Sequence, residues 1–223
     1  MSSIRACVIA LSAALAAQFL PGVALANTPE RLAAAADTVN SLSKTPDRDI
    51  PQDLLEKAHC IVVVPSLKSG ALIVGAEYGR GFASCRTGHG WSAPAAVKVE
   101  GGSVGFQIGG SETEVVMLVM NQKGMDRLLS TKFTLGGEAK VAAGPVGRSA
   151  TAKTDAAMTA EILSYSRAKG VFAGVALDGA TLREDDDGNK DLYGHAVENR
   201  TILTGGVPAP AAARAFLAAV KHF

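Results

Sequence analysis

Between residues 60 and 120 the chain pairs β-forming runs with glycine, and that combination limits its possible folds more than any other feature. Cys60-Ile61-Val62-Val63-Val64 is a β-branched run ending at Pro65, the pattern of a buried strand. Residues 71–85 are rich in β-formers but interrupted by Gly75, Gly79 and Gly81. Glycine inside a strand marks a bulge, a bend, or the close approach of another backbone or a ligand. Residues 94–100, then Gly101-Gly102, then 103–108 read as a hairpin on a Gly-Gly turn, and 115–120 as another apolar strand. A sheet interrupted in this way bends strongly and curls toward a barrel.

Helices are expected on either side of these strands. Thr28-Pro29-Glu30 has the order of an N-cap, a first-turn proline and a first-turn acid, and apolar residues from Leu32 to Leu42 follow at helical spacing. Pro51 opens a short helix through 57, and Asn121 caps another over 122–130. Residues 133–143 alternate loosely, and 161–166 with 171–177 frame a hairpin around Ala168-Lys169-Gly170. Residues 183–191 are polar and acidic, 198–203 form a helical turn, and 208–223 an alanine-rich terminal helix. There is no internal repeat and no interdomain linker. The pattern predicts an α+β fold: a curled, mainly antiparallel sheet with N- and C-terminal helices flanking it.

Residues 1–26 are expected to lie outside that fold. Arg5 supplies a positive start, 6–20 an uncharged apolar run, and Ala24-Leu25-Ala26 a small-x-small cleavage site, so 1–26 reads as a secretory signal peptide. The run is short of the roughly 20 apolar residues needed to span a bilayer. Residues 27–223 then form one exported domain, periplasmic or secreted. The chain holds 22 Lys and Arg against 21 Asp and Glu. That balance argues against a general nucleic-acid binder, which needs an excess of cations to displace counterions. Cys7 leaves with the leader, so Cys60 and Cys85 remain. An oxidising compartment favours a disulfide between them, against free thiols or a metal site with His59 and His89.

Several strings suggest chemistry. Gly101-Gly102-Ser103-Val104-Gly105 matches the hydrolase pattern Gly-x-Ser-x-Gly, which has meaning only at a strand-to-helix elbow. Strand-like residues follow it here, and only His89 and His195 stand as distant candidate bases, so no enzyme is expected. Asp185, Asp187 and Asn189 resemble part of a calcium loop. With Gly188 at the sixth position, however, Arg183 and Gly194 occupy the first and twelfth, and both are wrong for an EF-hand. No metal and no cofactor is therefore assigned. Gly144-Pro145-Val146-Gly147-Arg148 is a turn that could also face an anion. Lys68, Arg80, Arg86, Lys98, Lys132, Lys140 and Arg148 are spread among the strands, and a curled sheet can bring several to one rim. Trp91, the single tryptophan, either folds over the sheet or anchors at a membrane interface.

Six ordered segments together resemble one family. They are Val64-Pro65-Ser66, Gly75-Ala76-Glu77-Tyr78-Gly79-Arg80-Gly81, Gly90-Trp91-Ser92-Ala93-Pro94-Ala95, Gly101-Gly102-Ser103-Val104-Gly105-Phe106-Gln107-Ile108-Gly109, Ala142-Ala143-Gly144-Pro145-Val146-Gly147-Arg148 and Tyr165-Ser166-Arg167-Ala168-Lys169-Gly170-Val171-Phe172-Ala173-Gly174. With Asn189-Lys190-Asp191-Leu192-Tyr193-Gly194 closing the series, the chain from about 32 to 203 is similar to the SYLF domain, also called the Ysc-type actin-binding domain. The resemblance implies a non-enzymatic lipid-binding protein. Eukaryotic members are associated with phosphoinositide membranes and actin, through an amphipathic N-terminal segment and basic residues. Here the N-terminal helix carries only Arg31 and Lys44, opposed by Glu30 and Asp37, so a polybasic attachment helix is not evident. For an exported protein the resemblance implies anionic phospholipids or a membrane surface as partner, with Arg80, Lys98 and Arg148 foremost and Lys68, Lys132 and Trp91 around them. A protein partner is the alternative, actin only by family analogy.

Overall fold

The computed structural model describes residues 27–42, 50–71, 74–104, 109–147, 159–168 and 170–223. The leader assigned to 1–26, and Arg148, lie outside the described residues. Helix α1 (Thr28–Ser41) starts one residue earlier than its sequence suggests. Asn27 is the cap, its side chain accepting from the Glu30 N–H at 2.9 Å while Glu30 accepts from the Asn27 N–H at 3.2 Å. Pro51 precedes α2 (Gln52–Lys57).

The strands follow: β1 (Cys60–Ala71), β2 (Val74–Thr87), β3 (Gly90–Trp91), β4 (Ala95–Val104) and β5 (Gly109–Val119). Beyond α3 (Gln122–Leu128) come β6 (Lys132–Thr134), β7 (Val141–Ala143), β8 (Ile162–Ala168), β9 (Val171–Gly174) and β10 (Thr181–Glu184). The chain ends in α4 (Asp186–Tyr193), α5 (Asn199–Leu203), a 3₁₀ turn at Ala211–Ala213 and α6 (Arg214–Val220). The strand order is β6-β10-β4-β2-β1-β5-β8-β7, with β3 added to β2 and β9 to β8. All pairs are antiparallel except β7 with β8. The sheet is strongly curled into a half-barrel, open between β6 and β7 among the described residues.

Both faces of this sheet are buried, which is why its central strands are continuously apolar. Cys60, Val62, Val64, Ala83, Val97, Met117 and Ile162 form the concave core, closed by Phe133 of β6, Leu128, Ile202 and Leu203. Ile61, Val63, Phe82, Ala96, Leu118 and Tyr165 face the other way, under Leu32, Ala35 and Val39 of α1, Leu54 and Leu55 of α2, and Phe216 of α6. The Phe82 and Phe216 rings lie 6.5 Å apart, tilted by 54°. Full burial of each such side chain contributes about 1.5–3 kcal/mol.

Two sequence expectations need correction. Strand β1 does not end at Pro65. It runs on to Ala71 through a bulge, and neither Pro65 nor Ser66 has a ladder partner there, so the missing N–H of proline costs no hydrogen bond. Gly79 and Gly81 lie opposite this bulge. A Cβ on Gly81 would stand 2.1 Å from the Val63 carbonyl oxygen, so only glycine lets β2 follow the bend. Gly101-Gly102 is no turn either: β4 passes straight through it, pairing with Glu77 and Ala76. A Cβ on Gly101 would come within 3.2 Å of Ala180, which accounts for the small residue by close approach of another segment.

Candidate functional site

Register places four cations in one line. Arg80 on β2 lies opposite Lys98 on β4, Lys98 opposite Arg183 on β10, and Arg183 opposite Lys132 on β6. Residues directly opposite in an antiparallel ladder share a face, their Cβ atoms about 5 Å apart. Phe82 and Ala96, two residues along from Arg80 and Lys98, belong to the helix-side core, so the row lies on the convex face where the helices end. Lys68 falls on the same face one row away, opposite Tyr78 and Glu112. Tyr78 is itself 45% exposed. The row grades from inside to outside: the Arg80 and Lys98 side chains are 23% and 16% exposed, while Arg183 and Lys132 are exposed.

Its inner end is organised by Asp185, whose side chain is buried. The Asp185 carboxylate caps α4 by accepting from the Gly188 N–H at 3.2 Å, accepts two bonds from Arg80, and pairs with Lys98 Nζ at 3.1 Å. Burial pushes the Asp185 pKa up, but Arg80, the Gly188 N–H and Lys98 together outweigh it and hold the carboxyl below its ordinary value. The same pair raises Arg80 above its ordinary value. Arg31 of α1 comes near enough to feel both groups, and burial first, then Arg80, lower it. Asp187 and Asp191 of α4 add negative charge near Arg80 and Arg31. At the outer end Arg183 pairs with Glu100 at 3.4 Å, and Lys132 makes no ion pair among the described residues.

Other sequence candidates lie elsewhere. Trp91 pairs with Arg86 on β2, and the Arg86 guanidinium stacks 4.6 Å from the centre of its ring. Arg86 is six residues from Arg80, about 20 Å along a strand. Arg86 also donates to the Ala58 and Leu55 carbonyls, so the tryptophan is folded onto the helix-side core. Ser103 lies inside β4, opposite Gly75. His89 is in the turn after Thr87 at the other end of β2, and His195 follows α4, whose Tyr193 hydroxyl donates to the Pro94 carbonyl at the start of β4. By strand rise the backbone of Ser103 lies about 25–40 Å from either histidine, inside a strand and not at a strand-to-helix elbow. Asp185 and Asn189 are both taken up by protein groups. Asn189 accepts from the Ala96 N–H at 2.8 Å and donates to Asn199 at 2.6 Å, and Asp187 lies in the first turn of α4. Among the described residues no three His, Cys, Asp or Glu side chains are grouped to hold a metal. Cys60 and Cys85 face each other across β1 and β2 and are joined as a disulfide. No described helix is long and apolar enough to cross a membrane.

Arg183 was the residue that sequence reasoning missed. Residues 183–191 read as one acidic stretch, yet Arg183 belongs to a short strand that inserts between β4 and β6. The available signal is the apolar Leu182 between polar Thr181 and Arg183, the period of a half-buried strand.

Comparison with known proteins matches residues 100–223, more than half the chain, to the family model Ysc84, described as Las17-binding protein actin regulator. The chain belongs to the Ysc84 family. An SH3 domain-containing protein of Schizosaccharomyces pombe is 40% identical over 169 residues, 74% of this chain and 39% of that protein. LAS seventeen-binding protein 3 of Saccharomyces cerevisiae is 35% identical over 170 residues, 74% of this chain and 37% of its own length. The human SH3 domain-containing YSC84-like protein 1 is 32% identical over 170 residues, covering 75% and 49%. The chain thus spans half or less of these relatives. Within the Ysc84-family segment, Asn189-Lys190-Asp191-Leu192-Tyr193-Gly194 has a structural task. Asn189 and Tyr193 tie α4 to β4, and Gly194 ends the helix at φ 78°.

Proposed function

We propose that the protein is an exported, non-enzymatic binding module whose convex cationic face docks reversibly on anionic membrane. The observation that carries this is the in-register row Arg80, Lys98, Arg183 and Lys132, with Lys68 and exposed Tyr78 beside it. Arg80 and Lys98 are committed to Asp185, so they hold the row in place. Lys68, Arg183 and Lys132 project into solvent and meet the headgroups. An exposed Lys or Arg near an anionic surface contributes about 1 kcal/mol. Three give at most about 3 kcal/mol, reduced by the Glu100 that pairs with Arg183, enough for peripheral, salt-sensitive attachment and far too little for permanent insertion. Tyr78 suits the headgroup layer, having a polar tip on an apolar ring. Export accords with the buried Cys60–Cys85 disulfide, which persists in oxidising compartments.

Co-sedimentation with vesicles tests the reading. Vesicles of phosphatidylcholine with phosphatidylglycerol should pull down the protein at low salt, phosphatidylcholine alone should not, and binding should weaken at moderate salt. The variant Lys68→Ala/Lys132→Ala/Arg183→Ala should lose at least tenfold in affinity while staying folded. Equal binding by that variant overturns the reading.

A protein partner is the second reading, favoured by the family's description as Las17-binding and by the yeast relative LAS seventeen-binding protein 3. No binding to either vesicle would transfer weight to it, and actin then becomes the first partner to assay.

A further inference from the structure

A second site lies away from the cation row. A cavity of about 330 Å³, within the size range of small-ligand sites, is lined by Asn121, Gln122, Lys123, Lys140, Thr159 and Glu161. Glu161 is 9% exposed, and its Oε2 is buried with no hydrogen-bond partner. Buried polar atoms are nearly always satisfied in folded proteins, and an orphaned carboxylate oxygen is costly to keep. The residue is also fixed in place. Its N–H donates to the Lys140 carbonyl at 2.8 Å, and its carbonyl accepts from the Met120 N–H at 2.9 Å. A Cβ on Gly124 would fall 2.7 Å from that same carbonyl oxygen, so α3 packs directly against it.

The neighbouring amides do not supply the missing donor. Asn121 accepts from the Gly124 N–H and donates to the Ala160 carbonyl, while Gln122 donates to Asp126 at 2.8 Å. Lys123 and Lys140 are exposed and form no ion pair among the described residues. The cavity therefore sets a buried acceptor short of a donor beside two cations short of an anion. A ligand complementary to both carries an ammonium with N–H donors at one end and an anionic group a few ångströms away.

We infer that this cavity binds the phosphoethanolamine group, its primary ammonium donating to Glu161 and its phosphate lying against Lys123 and Lys140. The chemistry is shared by the free compound and by the headgroup of phosphatidylethanolamine. This site is independent of the cationic face, and its ligand carries no net requirement for an anionic membrane.

Calorimetric titration of the purified protein with free phosphoethanolamine, phosphocholine and ethyl phosphate tests the assignment. Phosphocholine keeps the phosphate but has no N–H to donate, and ethyl phosphate has no ammonium. Phosphoethanolamine should bind at least tenfold more tightly than either. Glu161→Gln should lose that selectivity, and Lys140→Met should weaken phosphoethanolamine and ethyl phosphate together. Should Glu161→Gln fail to fold, the three-ligand series on the wild type decides alone. Vesicles of phosphatidylcholine with and without phosphatidylethanolamine separate the sources: retention competed by free phosphoethanolamine assigns the lipid headgroup, and binding of the free compound only assigns a soluble ligand. Equal affinity for all three ligands, or binding of none, overturns the inference. Lys68→Ala/Lys132→Ala/Arg183→Ala should leave the calorimetric titration unchanged, so failure of the membrane reading and failure of this one are told apart.

Discussion

The guanidinium of Arg80 meets the carboxylate of Asp185 at two points, Nε to Oδ2 at 2.5 Å and Nη2 to Oδ1 at 2.8 Å, across 105 residues of sequence. This contact joins the middle of the sheet to the first turn of α4. It also fixes the inner end of the cationic row, because Lys98 reaches the same carboxylate.

Asp185→Asn leaves both cations without their charge partner while keeping the side-chain shape. Breaking a largely buried pair from one side costs about 3 kcal/mol, so the urea midpoint should fall with little change in slope. The pH signature follows from the depressed folded pKa of Asp185. Its stabilisation is present above the unfolded carboxyl value, near pH 4, and is lost as pH falls through the lower folded value. The gap between wild type and Asp185→Asn should therefore narrow on acidification below about pH 4. A gap that is constant from pH 7 to pH 2 would refute the role given to this carboxylate.

Glu184, one residue away, carries the opposite sign. Burial raises its pKa first, the Asn199 N–H opposes this, and Asp186 and Glu198 add to the rise. A carboxyl raised in the folded state favours folding most below its unfolded pKa, and that contribution is lost as pH rises through the folded value. Glu184→Gln keeps an oxygen for the Asn199 N–H and removes the charge. It should be more stable than wild type at pH 7 and indistinguishable from it below pH 4, by urea denaturation at both pH values.

The long apolar strands were legible because burial on both faces leaves an unbroken β-branched run, as in 61–64. The cationic row was not, because it is assembled by register from residues 80, 98, 183 and 132, on four strands whose order no local pattern reveals. Two of those strands, β6 and β10, are only three and four residues long, too short for periodicity to mark. Gly101-Gly102 misled for a physical reason: the same absence of Cβ serves a tight turn and the close passage of Ala180.

Glycine opposite the bulge is required by close backbone approach. Gly81→Ala would place a Cβ 2.1 Å from a backbone oxygen, and backbone cannot yield as a side-chain end can. The cost should be about 2–3 kcal/mol. Gly88→Ala meets nothing within 4 Å and should change stability by less than about 0.5 kcal/mol. Thermal melts of the two variants side by side check it.

Cys60 and Cys85 close a loop of sequence separation 25. Loop-closure entropy of that length stabilises the folded chain by about 3 kcal/mol. Reduction, or the double change Cys60→Ala/Cys85→Ala, should lower the Tm by roughly 6–12 °C for a domain of this size. Vesicle binding at 25 °C should persist in whatever fraction remains folded, since neither sulfur approaches the cationic face. Unchanged melting on reduction would mean that the bond contributes nothing to stability.

Tyr165 packs by its ring and not by its hydroxyl. It is fully buried, and its hydroxyl has no hydrogen-bond partner. Burial, reinforced by the charge of Asp53, drives its pKa far above the ordinary phenol range. The backbone of Gly144 lies directly over the ring, since a Cβ there would come 2.0 Å from Tyr165 Cζ. The ring is therefore needed for packing and the oxygen is not. Tyr165→Phe should be neutral or more stable by about 1 kcal/mol, because it removes a desolvated group that gains nothing in return. Tyr165→Ala should cost about 3–5 kcal/mol for the volume lost. The phenol also weakens the fold in base: it ionises near pH 10 only when unfolded, so stability falls as pH rises past that value. Tyr165→Phe should flatten this alkaline decline. A destabilised Tyr165→Phe, with the decline intact, would mean that the hydroxyl is held by a bond in solution.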